Sequence, residues 1–283
     1  FGPRVPNSEG HKACKNWLAD QFEQYGFEVI QQDFEAVAHT GERLQSTNII
    51  AQHQPNASKR ILLAAHWDSR YIADSPLSKE RRDEPIPGAD DGGSGVAVLL
   101  EIARQLAQNP LPFGVDFILF DAEDQGISRE EGLDSSAGDQ STWCLGSQYW
   151  GRNLHKNGYK AEYGILLDMV GAKNARFPKE YYSMQFAPQL VNQIWDLASR
   201  MGYNNYFHDT KSGAITDDHY FVSTLGRVPM IDIINLPPDS QTGSFVDHWH
   251  THQDDINAID SRTLRAVGQV LLAVLYGEAN GTF

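Results

Sequence analysis

Apolar residues recur at helical spacing near the start of the chain. The positions concerned are Ala13, Trp17, Leu18, Phe22 and Tyr25. This spacing places side chains on one face of an α-helix, and Ser8 and Gly26 supply the start and stop signals on either side. The sequence therefore predicts an amphipathic helix that ends at Gly26.

Short apolar runs between turn residues indicate β-strands in the rest of the chain. They occupy 27–33, 47–53, 60–66, 115–120, 163–170 and 227–234. Longer periodic segments predict helices at 96–107, 146–156, 188–201 and 262–278. The run 61–65 is apolar at every position, which is typical of a strand buried on both faces. The alternation of strands and helices predicts an α/β fold: a three-layer αβα sandwich with a central mixed, mostly parallel sheet, and a single domain over 1–283.

The composition is that of a globular protein, with 41% hydrophobic and 21% charged residues among 283. A net charge of −14 argues against nucleic-acid binding, because phosphate contacts need clustered Lys and Arg. No apolar run approaches the roughly 18–20 residues of a membrane span. The chain begins at Phe1 without a signal segment, so we interpret it as a processed chain, which leaves export open.

The two cysteines, Cys14 and Cys144, allow two interpretations. They pair as a disulfide in an oxidising compartment, or they remain buried thiols. Of the two, we favour the free thiols.

Ionisable residues stand where the predicted strands end. The set comprises His66, Asp68, Glu123, Asp124 and Asp168, with His250 in the loop after the last predicted strand and Asp90 and Asp91 in a Gly-rich turn. Each motif alone also suits an ordinary core or turn role. The carboxyl ends of parallel strands meet at one edge of a sheet, where ligands bind. Burying so many carboxylates there is costly without a cation, and mixed imidazole and carboxylate ligands suit zinc. The sequence therefore predicts a metal centre at this edge.

The motifs, taken in chain order, resemble those of the co-catalytic zinc aminopeptidases, a fold shared by the glutaminyl cyclases of animals and some bacteria. They are His66-Trp67-Asp68, Gly88-Ala89-Asp90-Asp91, Asp121-Ala122-Glu123-Asp124, Leu167-Asp168-Met169-Val170-Gly171, Asp218-His219 and His250-Thr251. The resemblance covers nearly the whole chain and implies one of two enzymes. A third possibility, a non-catalytic binding relative, fits less well because every metal-binding acid is kept.

For an aminopeptidase, the resemblance implies two zinc ions and a water-activating base. The implied ligands are His66, Asp91, Asp124, Asp168 and His250, and the base is Glu123. All five ligand positions carry competent residues, so the ligand set leaves this alternative open.

For a cyclase, the resemblance rests on Asp217 and on an aromatic pocket. Aminopeptidases usually carry a small residue where this chain has Asp217, and more often Tyr where it has Trp249. An acid at position 217 can share a proton with Asp168, which makes Asp168 a poor ligand for a second zinc ion. The resemblance further implies a substrate pocket lined by Trp249, Phe245, Ile215 and Trp143.

The cyclase interpretation implies one zinc ion per chain, held by Asp91, Asp124 and His250. Its substrates would be peptide or protein N-termini that begin with Gln, which close to pyroglutamate. Glu123 would transfer the proton, and Asp168, backed by Asp217, would steady the leaving nitrogen. His66 and Asp68 would stand behind the ligands rather than bind the metal. We expect a monomer, since no heptad or long apolar edge calls for a partner.

Two departures from the animal cyclases favour a bacterial enzyme that is periplasmic or secreted. The second acid of the pair is Asp124, where the animal enzymes usually carry Glu. The segment 125–142 is polar and lacks the aromatic residue expected soon after the acid pair, so we assign that role to Trp143.

Overall fold

The computed structural model describes residues 1–128 and 140–283. Helix α1 spans Glu9–Gln24, and the Ser8 side chain caps it by accepting a hydrogen bond from the His11 amide at 3.1 Å. Its buried face consists of His11, Cys14, Leu18, Ala19 and Phe22. Ala13 and Trp17, which we expected on this face, are exposed. One helix face holds one stripe of core residues, and the stripe through Cys14, Leu18 and Phe22 occupies it.

Eight strands are found in the described residues. They are β1 (Glu28–Val37), β2 (Arg43–His53), β3 (Arg60–His66), β4 (Gly114–Phe120), β5 (Gly164–Asp168), β6 (Phe177–Lys179), β7 (Phe207–Lys211) and β8 (Met230–Ile234). The main sheet has the order β1-β2-β4-β3-β5-β8. Strands β4, β3, β5 and β8 pair in parallel, whereas β1-β2 and β2-β4 are antiparallel. The predicted mixed, mostly parallel sheet is therefore confirmed.

Helices cover both faces of this sheet. Besides α1 they are α2 (Gly93–Gln108), α3 (Leu145–Arg152), α4 (Tyr181–Phe186), α5 (Pro188–Arg200), α6 (Asp218–Thr224) and α7 (Ser261–Asn280). Alternate residues of β3 divide between two cores, with Leu63 packed toward α1, α2, α5 and α7 and Leu62 packed toward α3 and α6. The two cores on opposite faces of one sheet confirm the three-layer αβα sandwich.

Four short elements escaped the sequence patterns: β6, α4, β7 and α6. Strands β6 and β7 form a separate two-stranded parallel sheet. Elements of this length show less than two turns or a few alternations, which is too little for a period to emerge. Helix α6 begins at a specific cap, since Asp217 accepts a hydrogen bond from the Asp218 amide.

Cys14 and Cys144 are both buried free thiols, as favoured above. Among residues 1–128 and 140–283, no helix is both long and apolar enough to cross a membrane.

Candidate metal centre and active site

Two groups of possible metal ligands meet at the carboxyl edge of the sheet. His66 ends β3 and Asp168 ends β5, and each stands with Asp91, which precedes α2. Asp124 follows β4 and His250 follows β8, and these two also stand with Asp91. Within each group, one ligand atom from every residue lies within 4.8 Å of the others. The sheet thus brings together the five residues that the sequence placed at strand ends and in the Gly-rich turn.

The distances within the two groups are those of side chains that converge on one point. On one side, His250 Nε2 lies 2.9 Å from Asp124 Oδ1 and 3.8 Å from Asp91 Oδ2. On the other side, His66 Nε2 lies 2.9 Å from Asp91 Oδ1 and 3.5 Å from Asp168 Oδ1. Asp91 is the residue shared by the two sides.

The donor set and its unsatisfied atoms fit a divalent cation. All five side chains are buried. Within the described parts of the chain, Asp124 Oδ2 is buried without a hydrogen-bond partner. His66 Nε2 and Asp168 Oδ1 are also buried, and their short contacts do not have the geometry of hydrogen bonds. Buried polar atoms are normally paired, and a cation bound between imidazole and carboxylate groups would satisfy these atoms.

The raised pKa values in the site also indicate that a positive charge would stabilise it. Burial raises the pKa of Asp124 to about 6, and the neighbouring Asp91 carboxylate adds to that effect. Burial alone would lower the pKa of His250, but Asp124 and Asp74 outweigh it and raise that pKa to about 9. The protein without a metal thus retains protons on groups that a cation would deprotonate.

Asp68 shapes the loop that carries the acid pair. Its two carboxylate oxygens accept hydrogen bonds from the Glu123 and Asp124 amides, each at 3.1 Å, and from Gln125 Nε2 at 3.0 Å. Ala122, just before the pair, adopts a left-handed backbone conformation with φ 52°. An uncommon conformation of this kind persists where surrounding contacts fix it. The end of β3 therefore determines the direction of the side chains after β4.

Asp254 holds the Asp91 loop in the same way, and no sequence pattern indicated this role. Its carboxylate accepts hydrogen bonds from the Asp90 amide at 2.7 Å and the Asp91 amide at 3.1 Å. Asp90 in turn accepts from the Gly171 amide at 2.7 Å. An acid in a polar turn gives no periodic signal, so only the close approach of the two loops reveals Asp254.

Glu123 is half-buried and faces a second cluster of acids. Cys144 Sγ donates to Glu123 Oε1 at 3.2 Å, and Asp217 completes a group whose ligand atoms lie within 4.8 Å of one another. Burial raises the pKa of Glu123 well above its usual range, and Asp217 and Asp124 add to it. Burial likewise raises the pKa of Asp168, again with help from Asp217.

Asp232 and Glu180 lie behind this cluster and were also missed. Asp232 forms a further group with Asp217 and His219. Glu180 accepts hydrogen bonds from the Ile215 amide at 3.0 Å and lies 3.2 Å from His219 Nε2. Asp232 carried a sequence signal, since it interrupts the otherwise apolar run of β8, whereas Glu180 carried none.

Aromatic rings stack beside the metal ligands. The Trp249 ring lies 3.7 Å from the His250 ring, and the Phe245 ring lies 4.7 Å from Trp249. Ile215 packs in the same apolar cluster. Trp143 lies 6.1 Å from His250 in a nearly parallel orientation. Trp143 follows the predicted polar segment 125–142, whose residues 129–139 lie outside the described residues.

The parallel sheet edge and the two ligand groups that share one carboxylate define a candidate metal centre with room for one or two ions. The family described as "Peptidase family M28" matches residues 48–275. The chain belongs to peptidase family M28.

Solved structures of bacterial proteins resemble this chain over almost its whole length. The Zn-dependent exopeptidase from Parabacteroides distasonis is 48% identical with a TM-score of 0.92, covering 98% of this chain and 93% of that one. The glutaminyl cyclase from Porphyromonas gingivalis is 47% identical with a TM-score of 0.92 and the same coverage. The glutaminyl-peptide cyclotransferase of Bothrops jararaca is 26% identical over 296 residues, covering 95% of this chain and 75% of its own. These likenesses confirm the resemblance that the motifs indicated.

Proposed function

We propose that the protein is a glutaminyl-peptide cyclotransferase that converts N-terminal Gln of peptides and proteins to pyroglutamate and releases ammonia. The observation that carries this proposal is Asp217, a buried acid beside Glu123 that raises the pKa of Asp168. The stacked wall of Trp249 and Phe245 and the likeness to named glutaminyl cyclases support it.

The reaction forms one bond and breaks one bond. The α-amino nitrogen of Gln attacks its own γ-amide carbon, and the bond from that carbon to the amide nitrogen breaks. Glu123 accepts a proton from the attacking amine and passes it to the departing nitrogen, which leaves as ammonia. A raised pKa suits this task, because the carboxyl group must both take and return a proton. No water enters, so aromatic walls that exclude it favour cyclisation over hydrolysis.

We propose one zinc ion per chain, held by Asp91, Asp124 and His250. When bound, zinc supplies a Lewis acid that polarises the γ-carbonyl oxygen. Asp68 holds the loop of Asp124 and does not itself bind metal in this scheme, and His66 is likewise a neighbour of the ligands. Trp249, Phe245, Ile215 and Trp143 enclose the Gln side chain and hold it in place for attack.

Asp168 distinguishes this scheme from a second zinc site. A carboxyl group that keeps its proton donates a hydrogen bond and binds a cation poorly. Asp168, backed by Asp217, then steadies the amide nitrogen of the substrate as it leaves.

A di-zinc aminopeptidase is the second candidate, because His66, Asp91 and Asp168 do form a second ligand group. The likeness to the Zn-dependent exopeptidase of Parabacteroides distasonis also favours it. In this scheme Glu123 activates a water molecule that hydrolyses the first peptide bond.

A peptide that begins Gln-Ala separates the two candidates. We expect mass spectrometry to show loss of one ammonia with every residue retained, and metal analysis to give one zinc per chain. Loss of a whole N-terminal residue, with two zinc ions per chain, would instead establish the aminopeptidase. Glu123→Gln is the control that shows whether the activity belongs to this site.

We further propose that residues 1–283 form a single monomeric domain that acts in the periplasm or after secretion. The monomer follows from the lack of heptads or a long apolar edge in the sequence. The location follows from the resemblance to the bacterial branch in the segment after Asp124. Light scattering of the purified protein and fractionation of the source cells test these two points.

A further inference from the structure

Arg70 is fully buried beside the metal centre, in the loop that follows β3. Its guanidinium pairs with Asp74, with Nη2 at 2.8 Å from Oδ2 and Nε at 3.2 Å from Oδ1. A planar fork that meets both oxygens of one carboxylate fixes its orientation as well as its charge.

The same guanidinium contacts the ligand loop and the aromatic wall. Arg70 Nη1 donates to the Asp124 carbonyl oxygen at 3.0 Å and to the Gly126 carbonyl oxygen at 2.7 Å. The guanidinium carbon also lies 4.5 Å from the centre of the Trp143 ring. A Cβ atom at Gly126 would lie 2.2 Å from that ring, so only glycine allows Trp143 this position.

Asp74 extends the chain of contacts to His250. Asp74 Oδ1 lies 2.7 Å from His250 Nδ1, on the side of the imidazole opposite Nε2. Nε2 is the atom that faces Asp124 and Asp91. An acceptor at Nδ1 retains the proton there, which leaves the lone pair of Nε2 free for a metal and raises its basicity.

We propose that Arg70 and Asp74 act together as a positioning pair, which fixes His250 for zinc binding through Asp74 and fixes Trp143 as a pocket wall through Arg70. The inference rests on the proposed function for the role of Trp143, whereas the role of Asp74 concerns metal binding alone. Neither residue touches the metal or the substrate in this scheme.

The charges of the pair are suited to this role. The Asp74 carboxylate lies between the Arg70 guanidinium, which donates to both of its oxygens, and His250 Nδ1. A carboxylate paired with a buried guanidinium is a strong acceptor for an imidazole N–H. Its removal leaves a buried guanidinium without its carboxylate and a metal ligand without its acceptor.

Asp74→Asn tests the link to the metal. The amide retains the size of the side chain but weakens the acceptor, so we expect the zinc dissociation constant to rise about 10–100-fold. Competition with a chelator on metal-depleted protein, refilled with zinc chloride, measures it without any peptide. At saturating zinc, KM for the Gln peptide should stay unchanged, because the Asn oxygen can still accept from Arg70 and the two carbonyl oxygens still hold the guanidinium against Trp143. An unchanged zinc dissociation constant would overturn the inference.

Arg70→Lys tests the link to the wall. Lys cannot contact Asp74, the two carbonyl oxygens and the Trp143 ring at once, so both the zinc dissociation constant and KM should rise. This difference in KM between the two variants is what a purely structural role would not produce. The double variant should lose less than the sum of the single losses in zinc affinity, because the pair acts as a unit.

Arg60→Lys is the matched control. Arg60 is also a buried guanidinium paired with a carboxylate, Asp116, but it lies at the start of β3. His66 ends the same strand, about 20 Å away at the usual rise per residue. This variant should lower the melting temperature and leave zinc affinity and KM unchanged. If Arg70→Lys and Asp74→Asn also lower only the melting temperature, the positioning role is refuted. If the protein does not cyclise Gln peptides but Asp74→Asn weakens zinc binding, only the proposed function fails.

Discussion

The two halves of the metal centre use the same kinds of ligand and share Asp91, yet their surroundings differ. In the half with Asp124 and His250, Asp74 contacts the His250 ring and Arg70 donates to the carbonyl oxygen of Asp124. The half with His66 and Asp168 faces Asp217 and the buried acids behind it. The first half is thus held by the buried Arg70 guanidinium and its partner Asp74. The second half lies next to further acidic side chains.

The identity of the ligands alone therefore does not decide where a metal ion binds. The pKa of Asp124, near the Arg70 guanidinium, is raised only to about 6, whereas burial and the neighbouring Asp217 raise the pKa of Asp168 well above its usual range. The same five residues can therefore provide two metal sites or one, according to the neighbours of Asp168. The proposed single-zinc cyclase follows from that difference.

Replacing one histidine in each half of the metal centre should give the largest difference in zinc content and activity. His250→Ala should abolish both zinc binding and cyclisation, because it removes a proposed ligand. His66→Ala should retain about one zinc per chain, since His66 belongs to the other half. Metal analysis of both variants after dialysis measures the result, and equal loss of zinc from the two variants would contradict it.

Glu123→Gln separates chemistry from metal binding. We expect cyclisation to fall by about 10²–10⁴-fold, because the amide cannot accept the proton of the attacking amine. Zinc content should remain that of the parent protein, which metal analysis of the same sample checks. Zinc loss in this variant would mean that Glu123 is itself a ligand.

Asp217→Asn should make the two halves more alike. Without the negative charge of Asp217, the pKa of Asp168 falls and its carboxylate becomes available to a cation. We expect cyclisation to slow by about 10²-fold, the low end of the range for a group that takes part in proton transfer. Zinc content should rise above one per chain in excess zinc. Asp209→Asn, at an exposed acid outside the site, is the control. Unchanged zinc content would show that Asp217 does not keep Asp168 from the metal.

The smallest expected effect is the pH dependence of the free energy of unfolding of the metal-free protein. The pKa of His250 is raised from 6.5 to about 9 in the metal-free fold, so its contribution is present below pH 6.5 and is lost as pH rises through 9. Up to about 3 kcal/mol is at stake for a shift of this size. Raised pKa values at Asp124 and Asp168 change stability in the same direction.

Urea melts of metal-free and zinc-loaded protein at several pH values measure this effect. The metal-free protein should lose stability as pH rises, and the zinc-loaded protein should not, because zinc replaces the proton on His250. Parallel pH profiles for the two forms would contradict this account.

The metal-binding edge could be predicted from the sequence because the ends of buried strands can be recognised there. Buried strands appear as apolar runs, and His66 and Asp168 stand at the ends of such runs. Parallel strands bring their carboxyl ends to one edge, so the convergence followed from topology alone. Arg70, Asp74 and Asp254 lie in polar loops, where no repeating pattern of apolar residues exists. The sequence therefore does not show which of the many acids and bases in these loops hold the metal ligands.

The order of the longer elements, the mixed sheet and the kinds of ligand could be predicted from the sequence, because these depend on local patterns and on a general rule of strand direction. The short elements β6, β7, α4 and α6 could not, since they are too short to show a period. The tertiary structure decided which face of α1 is buried, which acid holds Asp91 and which groups adjoin Asp168 and His250. Those outcomes depend on contacts between residues far apart in the chain, such as the 2.7 Å approach of Asp74 to His250. Charge and burial at such contacts set the protonation of each ligand, and only the folded chain brings them together.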